Sequence, residues 1–287
     1  MDDARDGAEL ISIVIPALNA AATLGAQLEA LIGEHGIEQC EVIVADNGST
    51  DDTVAVAMRY RGRLDLTLVD AREHPGRSAV RNEAVRHVTR PYIAFLDADD
   101  AVCAGWLPTI VRHLPAPVVQ GGYRRVPRHA SADDRNVTVR FPSYRGVQTI
   151  AAGNVVIEKR VLDLVGGFNE QYRYRVDVEL AIRLHLAGIP IVIAEDACIL
   201  YRERGSARGA MRQQYNWEKA AVQLQRDYGD RIEFRHSSRN SLKHWALLVP
   251  HAIDALRDDE DRRRWLADLG ALSGRLVGSL TYRTLFL

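Results

Sequence analysis

Cysteine, lysine and net charge are all scarce in this 287-residue sequence. The three cysteines, Cys40, Cys103 and Cys198, are an odd number without metal-ligand spacing, which argues against a zinc site and indicates a reducing cytosol. The formal net charge is -1, so no global field would recruit nucleic acid or an acidic membrane. We therefore expect no nucleic-acid partner.

Long apolar runs are absent as well. No stretch reaches the roughly 18 apolar residues that a transmembrane helix needs. Residues 1–10 are acidic and lack the apolar core of a signal peptide. There is no internal repeat and no glycine-rich Walker loop. These absences predict a cytoplasmic protein, and peripheral contact with the inner face of a membrane stays open.

The first hundred residues do contain an alternation of strand and helix patterns. Four short apolar runs predict strands at residues 11–15, 42–45, 64–69 and 92–96. Helical periodicity separates them, with apolar residues at Leu24, Leu28 and Leu31 after the first run. This order is typical of an α/β fold with a largely parallel sheet covered by helices.

Polar residues follow three of the predicted strands, at positions 16–19, 46–49 and 97–99. In open α/β sheets, ligands bind outside the carboxyl ends of the strands. We therefore expect these three segments to lie at one edge of the sheet.

Asp97, Asp99 and Asp100 form a cluster of carboxylates after the fourth strand. Like charges this close resist joint ionisation, so we expect a positive group that the sequence itself does not supply. Three interpretations are open: a turn with a helix cap, a site for a hard cation such as Mg²⁺ or Mn²⁺, and paired acid/base carboxylates. A calcium EF-hand is excluded because Ala101 and Val102 occupy its fifth and sixth positions.

Asp46 begins the segment Asp-Asn-Gly-Ser, which is a strong turn signal. One interpretation is a turn followed by a helix cap from Thr50 or Asp51. The other is that the Asp46 carboxylate accepts a hydrogen bond from the ring N–H of a nucleobase, which uracil and thymine present and cytosine lacks. On the second interpretation Asp46 reads the base.

Four segments in register resemble the successive motifs of family 2 glycosyltransferases with the GT-A fold. They are ISIVIPALN at residues 11–19, VIVADNGSTD at residues 42–51, AVRN at residues 79–82 and FLDADD at residues 95–100. The similarity continues through GGFNE at residues 166–170 and DVELAIR at residues 177–183. The resemblance implies a Rossmann-like mixed sheet flanked by helices, a nucleotide-sugar donor, a divalent cation (Mg²⁺ or Mn²⁺) and inversion at the anomeric carbon.

The resemblance also implies roles for individual residues. Pro16 and Asn19 are similar to the loop beneath the nucleoside, and Asp46 to the aspartate that reads the base. Asp97 resembles the first acid of the D-x-D motif, near the ribose or the metal, and Asp99 resembles the acid that ligates the metal.

Two arginines follow the third strand, Arg77 and Arg81. Either is expected to add positive charge near the diphosphate. The alternative for Arg81 is that it fixes its helix against the loop.

Asp177 is the candidate base, because inverting transfer needs a carboxylate to take the proton of the acceptor hydroxyl. The alternative is that Asp177 only caps the helix. Similar enzymes usually carry Glu-Asp here, where this chain has Val176-Asp177, so Glu179 is a rival. Glu179 is also predicted to pair with Arg183 on the helix surface, four residues on.

Other residues are assigned to the acceptor side or the metal. Gly153 and Asn154 indicate close approach of a ligand, or a bulge, and Asn154 joins Glu179 on the acceptor side. Tyr201 stands where many relatives place a metal-binding histidine, so the third protein ligand is absent or is replaced by water or Glu203. Three further arginines have two possible roles: they contact the diphosphate after a loop closes, or they lie on the solvated surface. They are Arg202, Arg204 and Arg208.

The domain organisation predicted is a nucleotide-sugar-binding half at residues 1–120, an acceptor-binding and catalytic half at 121–205, and a helical C-terminal extension at 206–287. The polar segment 123–145 is interpreted as an exposed loop or an acceptor-side excursion. The C-terminal helices pack against the rest or form an interfacial membrane helix or a homodimer surface.

The function predicted is metal-dependent inverting transfer of a sugar from a nucleotide-sugar, with a UDP-sugar favoured over dTDP- or GDP-sugars. The acceptor hydroxyl or amine belongs to a small molecule, a glycan or a lipid-linked compound. A degenerate nucleotide-sugar-binding protein is one alternative. A sugar-phosphate nucleotidyltransferase is another, although its glycine-rich phosphate loop is missing after the first strand.

Overall fold

The computed structural model describes residues 7–126, 143–144, 146–202, 206–232, 245–246, 248, 252 and 258–285. The chain divides into two units, one formed by Met1–Gln171 and Val176–Glu203 and the other by Tyr172–Arg175 and Arg204–Leu287. Among the described residues, no helix combines the length and the apolar character needed to cross a bilayer.

The first unit alternates strands with helices. Its strands are β1 (Ile11–Ala17), β2 (Glu41–Asp46), β3 (Asp65–Asp70), β4 (Tyr92–Leu96), β5 (Ala101–Val102), β6 (Val118–Val126), β7 (Ser143–Tyr144), β8 (Val147–Gln148), β9 (Asn154–Glu158) and β10 (Val192–Arg202). Its helices are α1 (Leu24–Ile32), α2 (Thr53–Met58), α3 (Arg77–Val85), α4 (Trp106–Val111), α5 (Lys159–Leu164) and α6 (Val176–Leu186), with short 3-10 turns at Ala8–Leu10 and Ile37–Gln39.

Eight of these strands form one mixed sheet in the order β3-β2-β1-β4-β9-β6-β10-β5. The first four run parallel, β9 is antiparallel to both β4 and β6, and β10 is parallel to β6. Ala17 is level with Asp46, and Asp46 with Asp70, so the carboxyl ends of β1, β2 and β3 share one edge. The predicted mixed sheet flanked by helices is confirmed.

Both faces of the sheet are buried. Ile13 and Ile15 of β1 face one apolar cluster, and Val14 between them faces the other. The first cluster includes residues of α1 and α4, and the second includes residues of α3, α5 and α6. Strands covered on both faces read as continuous apolar runs, which is why β1, β2 and β4 could be recognised in the sequence.

The structure differs from the sequence prediction around β6. Strand β6 continues to Val126, so Tyr123 lies in the sheet and not in the predicted polar loop. Pairing with β10 explains the difference. Tyr123 is level with Ile199 in a parallel ladder, and such a ladder satisfies the backbone N–H and C=O groups of β6 even where its side chains are polar. Most of the predicted loop, residues 127–142, lies outside the described residues.

The second unit is built from two long helices, α7 (Ala207–Tyr228) and α8 (Asp259–Tyr282). They pack closely because glycines of α8 meet the backbone of α7. A β-carbon on Gly270 would lie 2.3 Å from Met211 O, and one on Gly274 would lie 2.2 Å from Tyr215 O. The predicted helical extension is confirmed, while the division at residue 120 and the membrane or homodimer role stay predictions.

Candidate functional site

The loop after β1 is tied to the loop after β2. The backbone N–H of Asn19 donates to Ser49 Oγ at 2.9 Å, and Asn19 Oδ1 accepts from the N–H of Thr50 at 2.9 Å. Asn19 has a φ of 50°, a left-handed conformation that asparagine tolerates better than most residues. Pro16, three positions earlier, is half-buried at the end of β1. The two predicted nucleoside loops therefore form one surface.

Asp46 is only 5% exposed at the end of β2. Its Oδ2 accepts hydrogen bonds from the N–H groups of Gly48, at 3.2 Å, and Ser49, at 3.1 Å. Gly48 has a φ of 83°, which this turn requires of a glycine. The predicted turn is present, and Asp51 accepts from the N–H of Thr53 at 3.0 Å at the start of α2. A carboxylate has about four acceptor positions, so Asp46 keeps capacity for a ligand.

The carboxylates of Asp97, Asp99 and Asp100 face one another after β4. One oxygen from each lies within 4.8 Å of the others; Asp100 is buried and the other two are half-buried. Gln27 of α1 supports this segment by accepting from the N–H of Val102 at 3.0 Å. Three clustered carboxylate oxygens are the donor set that Mg²⁺ and Mn²⁺ prefer, so these residues fit a divalent cation.

A positive group of the chain itself, Arg81, lies beside the acidic cluster and is 4% exposed. Its Nη2 donates to Asp97 Oδ1 at 2.7 Å, its Nη1 donates to Arg77 O at 3.0 Å, and the guanidinium lies 5.7 Å from the centre of the Phe168 ring. Burial lowers the pKa of Arg81 and the charge of Asp97 raises it, and a guanidinium stays ionised in either case. This geometry favours the interpretation that Arg81 fixes its helix and the acidic loop, while Arg77 is exposed.

Asn82, next to Arg81, joins the AVRN segment to the GGFNE segment by side-chain hydrogen bonds. Asn82 Nδ2 donates to Phe168 O at 2.8 Å, and Asn82 Oδ1 accepts from the N–H of Phe168 at 2.9 Å. Gly167 has a φ of 70°, and a β-carbon there would lie 3.0 Å from Asn82 Oδ1. The turn after α5 is thus fastened to α3.

Asp177 is the second residue of α6 and therefore does not occupy the N-cap position of the competing interpretation. Its Oδ1 accepts from the N–H of Val178 at 2.9 Å. Burial is the main reason that the pKa of Tyr123 lies well above its usual range, and the charges of Asp177 and Asp97 raise it further. The charge of Asp177 also acts on Arg81. Asp177 therefore lies within electrostatic range of Arg81 and Tyr123.

Glu179 lies elsewhere on α6 and is fully buried. Both of its oxygens bind Arg183, at 2.9 and 2.6 Å, and Oε1 also accepts from Asn169 Nδ2 at 3.2 Å. The predicted pair with Arg183 forms, but it is buried and not on the surface. A carboxylate held by these partners is a structural ion pair, and its acceptor role stays a prediction.

Asn154, the other acceptor-side residue, is also fully buried. Its side chain accepts from Trp106 Nε1 and donates to Gly122 O and Ala197 O, each at 2.8 Å. These contacts join β9 to β6 and β10. Its acceptor role likewise stays a prediction.

Tyr123 and Tyr201 form an aromatic pair beside the acidic residues. Their ring centroids are 6.3 Å apart with an interplanar angle of 89°, an edge-to-face contact. Sequence reasoning missed Tyr123, because its strand was interpreted as a loop. Glu203 and Arg204 lie outside the described residues, as does the side chain of Arg202, and Arg208 is an exposed residue of the second unit.

Known proteins resemble this chain in sequence and in fold. It is 29% identical over 241 residues to the validoxylamine A glucosyltransferase of Streptomyces hygroscopicus subsp. jinggangensis, covering 69% of this chain and 56% of that protein. It is 25% identical over 257 residues to the pre-mycofactocin glycosyltransferase of Mycobacterium tuberculosis, covering 83% and 52%. The chain thus spans about half the length of these curated relatives.

Two solved structures share the fold. The mannosyltransferase PcManGT from Pyrobaculum calidifontis, in complex with GDP-Man and Mn²⁺, matches with a TM-score of 0.65 at 19% identity over 94% of this chain and 86% of that one. Staphylococcus aureus TarS 1–349, in complex with UDP-GlcNAc, matches with a TM-score of 0.54 at 17% identity over 95% and 91%. The predicted GT-A fold is confirmed.

The family model for glycosyl transferase family 2 matches residues 12–161, which include the loops after β1 and β2, helix α3 and the acidic cluster. These are the segments that the sheet brings to one edge. This chain belongs to glycosyl transferase family 2.

Proposed function

We propose that this chain transfers a sugar from a nucleotide-sugar donor to an acceptor hydroxyl or amine, with a divalent cation and with inversion at the anomeric carbon. The observation that carries the proposal is that Asp46 and the acidic cluster lie at one edge of the sheet, with Asp177 within electrostatic range of the arginine that binds the cluster. Asp46 lies in the loop shared with Asn19, the cluster of Asp97, Asp99 and Asp100 follows β4, and Asp177 acts electrostatically on Arg81 and Tyr123.

The donor proposed is a UDP-sugar. Asp46 is held by Gly48 and Ser49 and still has acceptor capacity for the N3–H of uracil. Thymine presents the same group and guanine presents a ring N–H, so dTDP- and GDP-sugars are the next candidates. TarS 1–349 is in complex with UDP-GlcNAc and PcManGT with GDP-Man, which supports a nucleotide-sugar donor. Uracil and guanine nucleotides are therefore both included in the binding experiment below.

The cation proposed is Mg²⁺ or Mn²⁺, held by Asp99, with Asp97 as a second ligand. A bound divalent cation offsets the negative charge that develops on the leaving diphosphate. Asp97 keeps a fixed orientation because Arg81 holds its Oδ1. PcManGT is in complex with Mn²⁺ as well as GDP-Man, which supports this class of metal.

Asp177 is the base in this proposal. Asp177 lies in the first turn of α6, at the positive end of the helix dipole, where a negatively charged side chain is stabilising. It takes the proton of the acceptor hydroxyl while the oxygen attacks the anomeric carbon from the face opposite the nucleotide. Glu179 is less suited to this step because Arg183 and Asn169 already occupy its oxygens.

A thermal-shift and calorimetric series tests the proposal. UDP, dTDP, GDP and CDP are compared with Mn²⁺ and with EDTA, and a panel of UDP-sugars is then assayed for donor hydrolysis. We expect Mn²⁺-dependent binding of UDP and slow release of UDP from one UDP-sugar. Binding without any turnover supports instead a degenerate binder, the alternative suggested by Tyr201 and Val176. Absence of Mn²⁺-dependent binding for all four nucleotides contradicts both.

A further inference from the structure

Gln120 is a polar residue in an apolar part of β6, and its side chain is fully buried. Its Nε2 donates to Gly121 O at 2.6 Å and to Asn154 O at 2.9 Å, and its Oε1 accepts from the N–H of Ala151 at 2.7 Å. The amide thus binds both ends of the turn at residues 151–154, which the Asn154 N–H closes by donating to Ala151 O at 3.0 Å.

Asn154 fastens the same turn to the rest of the sheet. Its three side-chain hydrogen bonds reach Trp106, Gly122 and Ala197. Asn154 also packs closely against β6, because a β-carbon on Gly121 would lie 2.3 Å from Asn154 Nδ2. A buried network in which the amide groups are all satisfied holds its backbone in one arrangement.

The turn held in this way brings Gly153 against Asp97. A β-carbon on Gly153 would lie 2.8 Å from Asp97 Oδ2, which is closer than real β-carbons approach, and 3.1 Å from its Cγ, which is tighter than most such contacts. Gly153 is not one of the glycines with positive φ, so the backbone conformation does not demand glycine. The close approach of the carboxylate does.

Asp97 is therefore confined on two sides: Arg81 donates to its Oδ1, and beside its Oδ2 there is no room for a β-carbon on residue 153. A methyl group on residue 153 would press on Oδ2, and a rotation of the Asp97 side chain that relieves this clash would also move Oδ1 relative to Arg81 Nη2. The orientation of Asp97 is thus set by α3 on one side and by the turn on the other.

We infer that Gln120 and Gly153 are positioning residues for Asp97: Gln120 fixes the turn at residues 151–154, and Gly153 leaves the space in which the Asp97 carboxylate takes its working orientation. The inference rests on the proposed function, in which Asp97 is a second ligand of the divalent cation. Such cations tolerate little displacement, since magnesium demands ligand distances of about 2.0–2.1 Å in near-octahedral geometry. Sites of this kind depend on the residues that support the ligands.

Gly153→Ala tests the inference directly. The added methyl group displaces the Asp97 carboxylate, and we expect Mn²⁺-dependent UDP affinity to fall by about tenfold or more in calorimetry, with weaker Mn²⁺ binding by electron paramagnetic resonance and little change of UDP affinity in EDTA. Gly62→Ala is the matched control, because a β-carbon on Gly62 would meet nothing within 4 Å. Affinity of Gly153→Ala within about twofold of the native protein overturns the inference.

A double-mutant cycle separates positioning from a general loss of structure. If Gly153 acts through Asp97, Gly153→Ala adds little to the loss of Mn²⁺-dependent affinity already caused by Asp97→Asn, whereas additive losses overturn the inference. Should Gly153→Ala lack a cooperative thermal transition, Gln120→Met is measured in its place with the same two expected outcomes. Native protein that shows no Mn²⁺-dependent binding of UDP, dTDP, GDP or CDP contradicts the proposed function itself, a result distinct from native binding that Gly153→Ala leaves unchanged.

Discussion

Arg81 Nη2 donates a 2.7 Å hydrogen bond to Asp97 Oδ1, and the arginine side chain is 5% exposed while that of Asp97 is 38% exposed. One side of the acidic cluster is thus paired with a buried arginine, and the other side is partly exposed to solvent. A buried guanidinium balances part of the negative charge of Asp97, Asp99 and Asp100, and a divalent cation at the open side would balance more.

Arg81→Gln is expected to weaken the acidic cluster as a whole. Without the buried cation, the three carboxylates repel one another more strongly, and Asp97 loses the partner that orients its Oδ1. Removing one partner of a buried pair costs up to about 3–5 kcal/mol, and the partial exposure of Asp97 reduces that figure. Urea unfolding measures the free energy, and calorimetry measures Mn²⁺-dependent UDP affinity. Arg81→Lys keeps the charge and should lose less of both; equal behaviour of the two variants would contradict a charge effect.

Asp99→Asn should abolish the Mn²⁺ dependence of nucleotide binding while leaving the fold intact. Asparagine has the shape of aspartate, but its neutral amide is a poor ligand for a hard cation. Calorimetric titration of UDP with Mn²⁺ and with EDTA gives the ratio of affinities, which should approach one in the variant. Asp163→Asn, at an exposed side chain of α5, is the control and should keep the native ratio. An unchanged ratio in Asp99→Asn rules out Asp99 as the metal ligand.

Asp46→Asn should change which base is preferred. The native carboxylate accepts from the uracil N3–H, while cytosine has only an acceptor at that position and leaves the base-facing acceptor position of Asp46 unfilled. The difference between UDP and CDP should therefore be about 1–3 kcal/mol in the native protein and should shrink or reverse in the variant. Competition calorimetry measures both affinities. Equal native affinities for UDP and CDP would remove the base-reading role.

Asp177→Asn should lower kcat by about a hundredfold or more with UDP affinity near native, the usual range for loss of a general base. The proton it accepts belongs to the acceptor and moves only in the transition state, so donor binding should not depend on it. Initial-rate kinetics with a responsive UDP-sugar, together with calorimetry, separate the two quantities. A variant with native kcat would exclude Asp177 as the base.

Glu179→Gln provides the comparison on the same helix. Because Glu179 is fully buried and paired with Arg183, its loss should reduce the free energy of unfolding, and turnover at a temperature well below unfolding should stay near native. If this variant loses turnover and Asp177→Asn does not, the base is Glu179.

Gly274→Ala should destabilise the second unit. The added β-carbon would lie 2.2 Å from Tyr215 O, a backbone atom that cannot move without separating α7 from α8. Overpacking of this kind costs about 1–3 kcal/mol. Differential scanning calorimetry should show a lowered transition, with Gly62→Ala as the unaffected control. A native transition temperature would mean that the two helices are not closely packed at this position.

The sequence was sufficient for the elements that are buried on both sides or marked by several motifs in register. Strands β1, β2 and β4 are continuous apolar runs, and they lie within two residues of the predicted bounds. Their order along the chain, each followed by polar residues, also predicted that Asp46 and Asp97 would lie at one sheet edge. These features are local in the sequence because each needs only a burial pattern and a strand direction.

Which side chains face each other depended on the folded arrangement of the whole chain. The sequence predicted a positive group from outside the chain near the acids, and the fold shows that the chain supplies one itself in Arg81, sixteen residues away and buried. The sequence left Glu179 and Asp177 as rivals, and the fold separated them by burying one against Arg183. Contacts with residues distant in the sequence determine the roles of Gly153, Gln120 and Tyr123, and a local sequence pattern does not predict such contacts. Strands β6 and β10 pair although they are about seventy residues apart in the sequence. The position of their residues therefore depends on closing a long loop and on the assembly of the sheet, and not on local strand propensity.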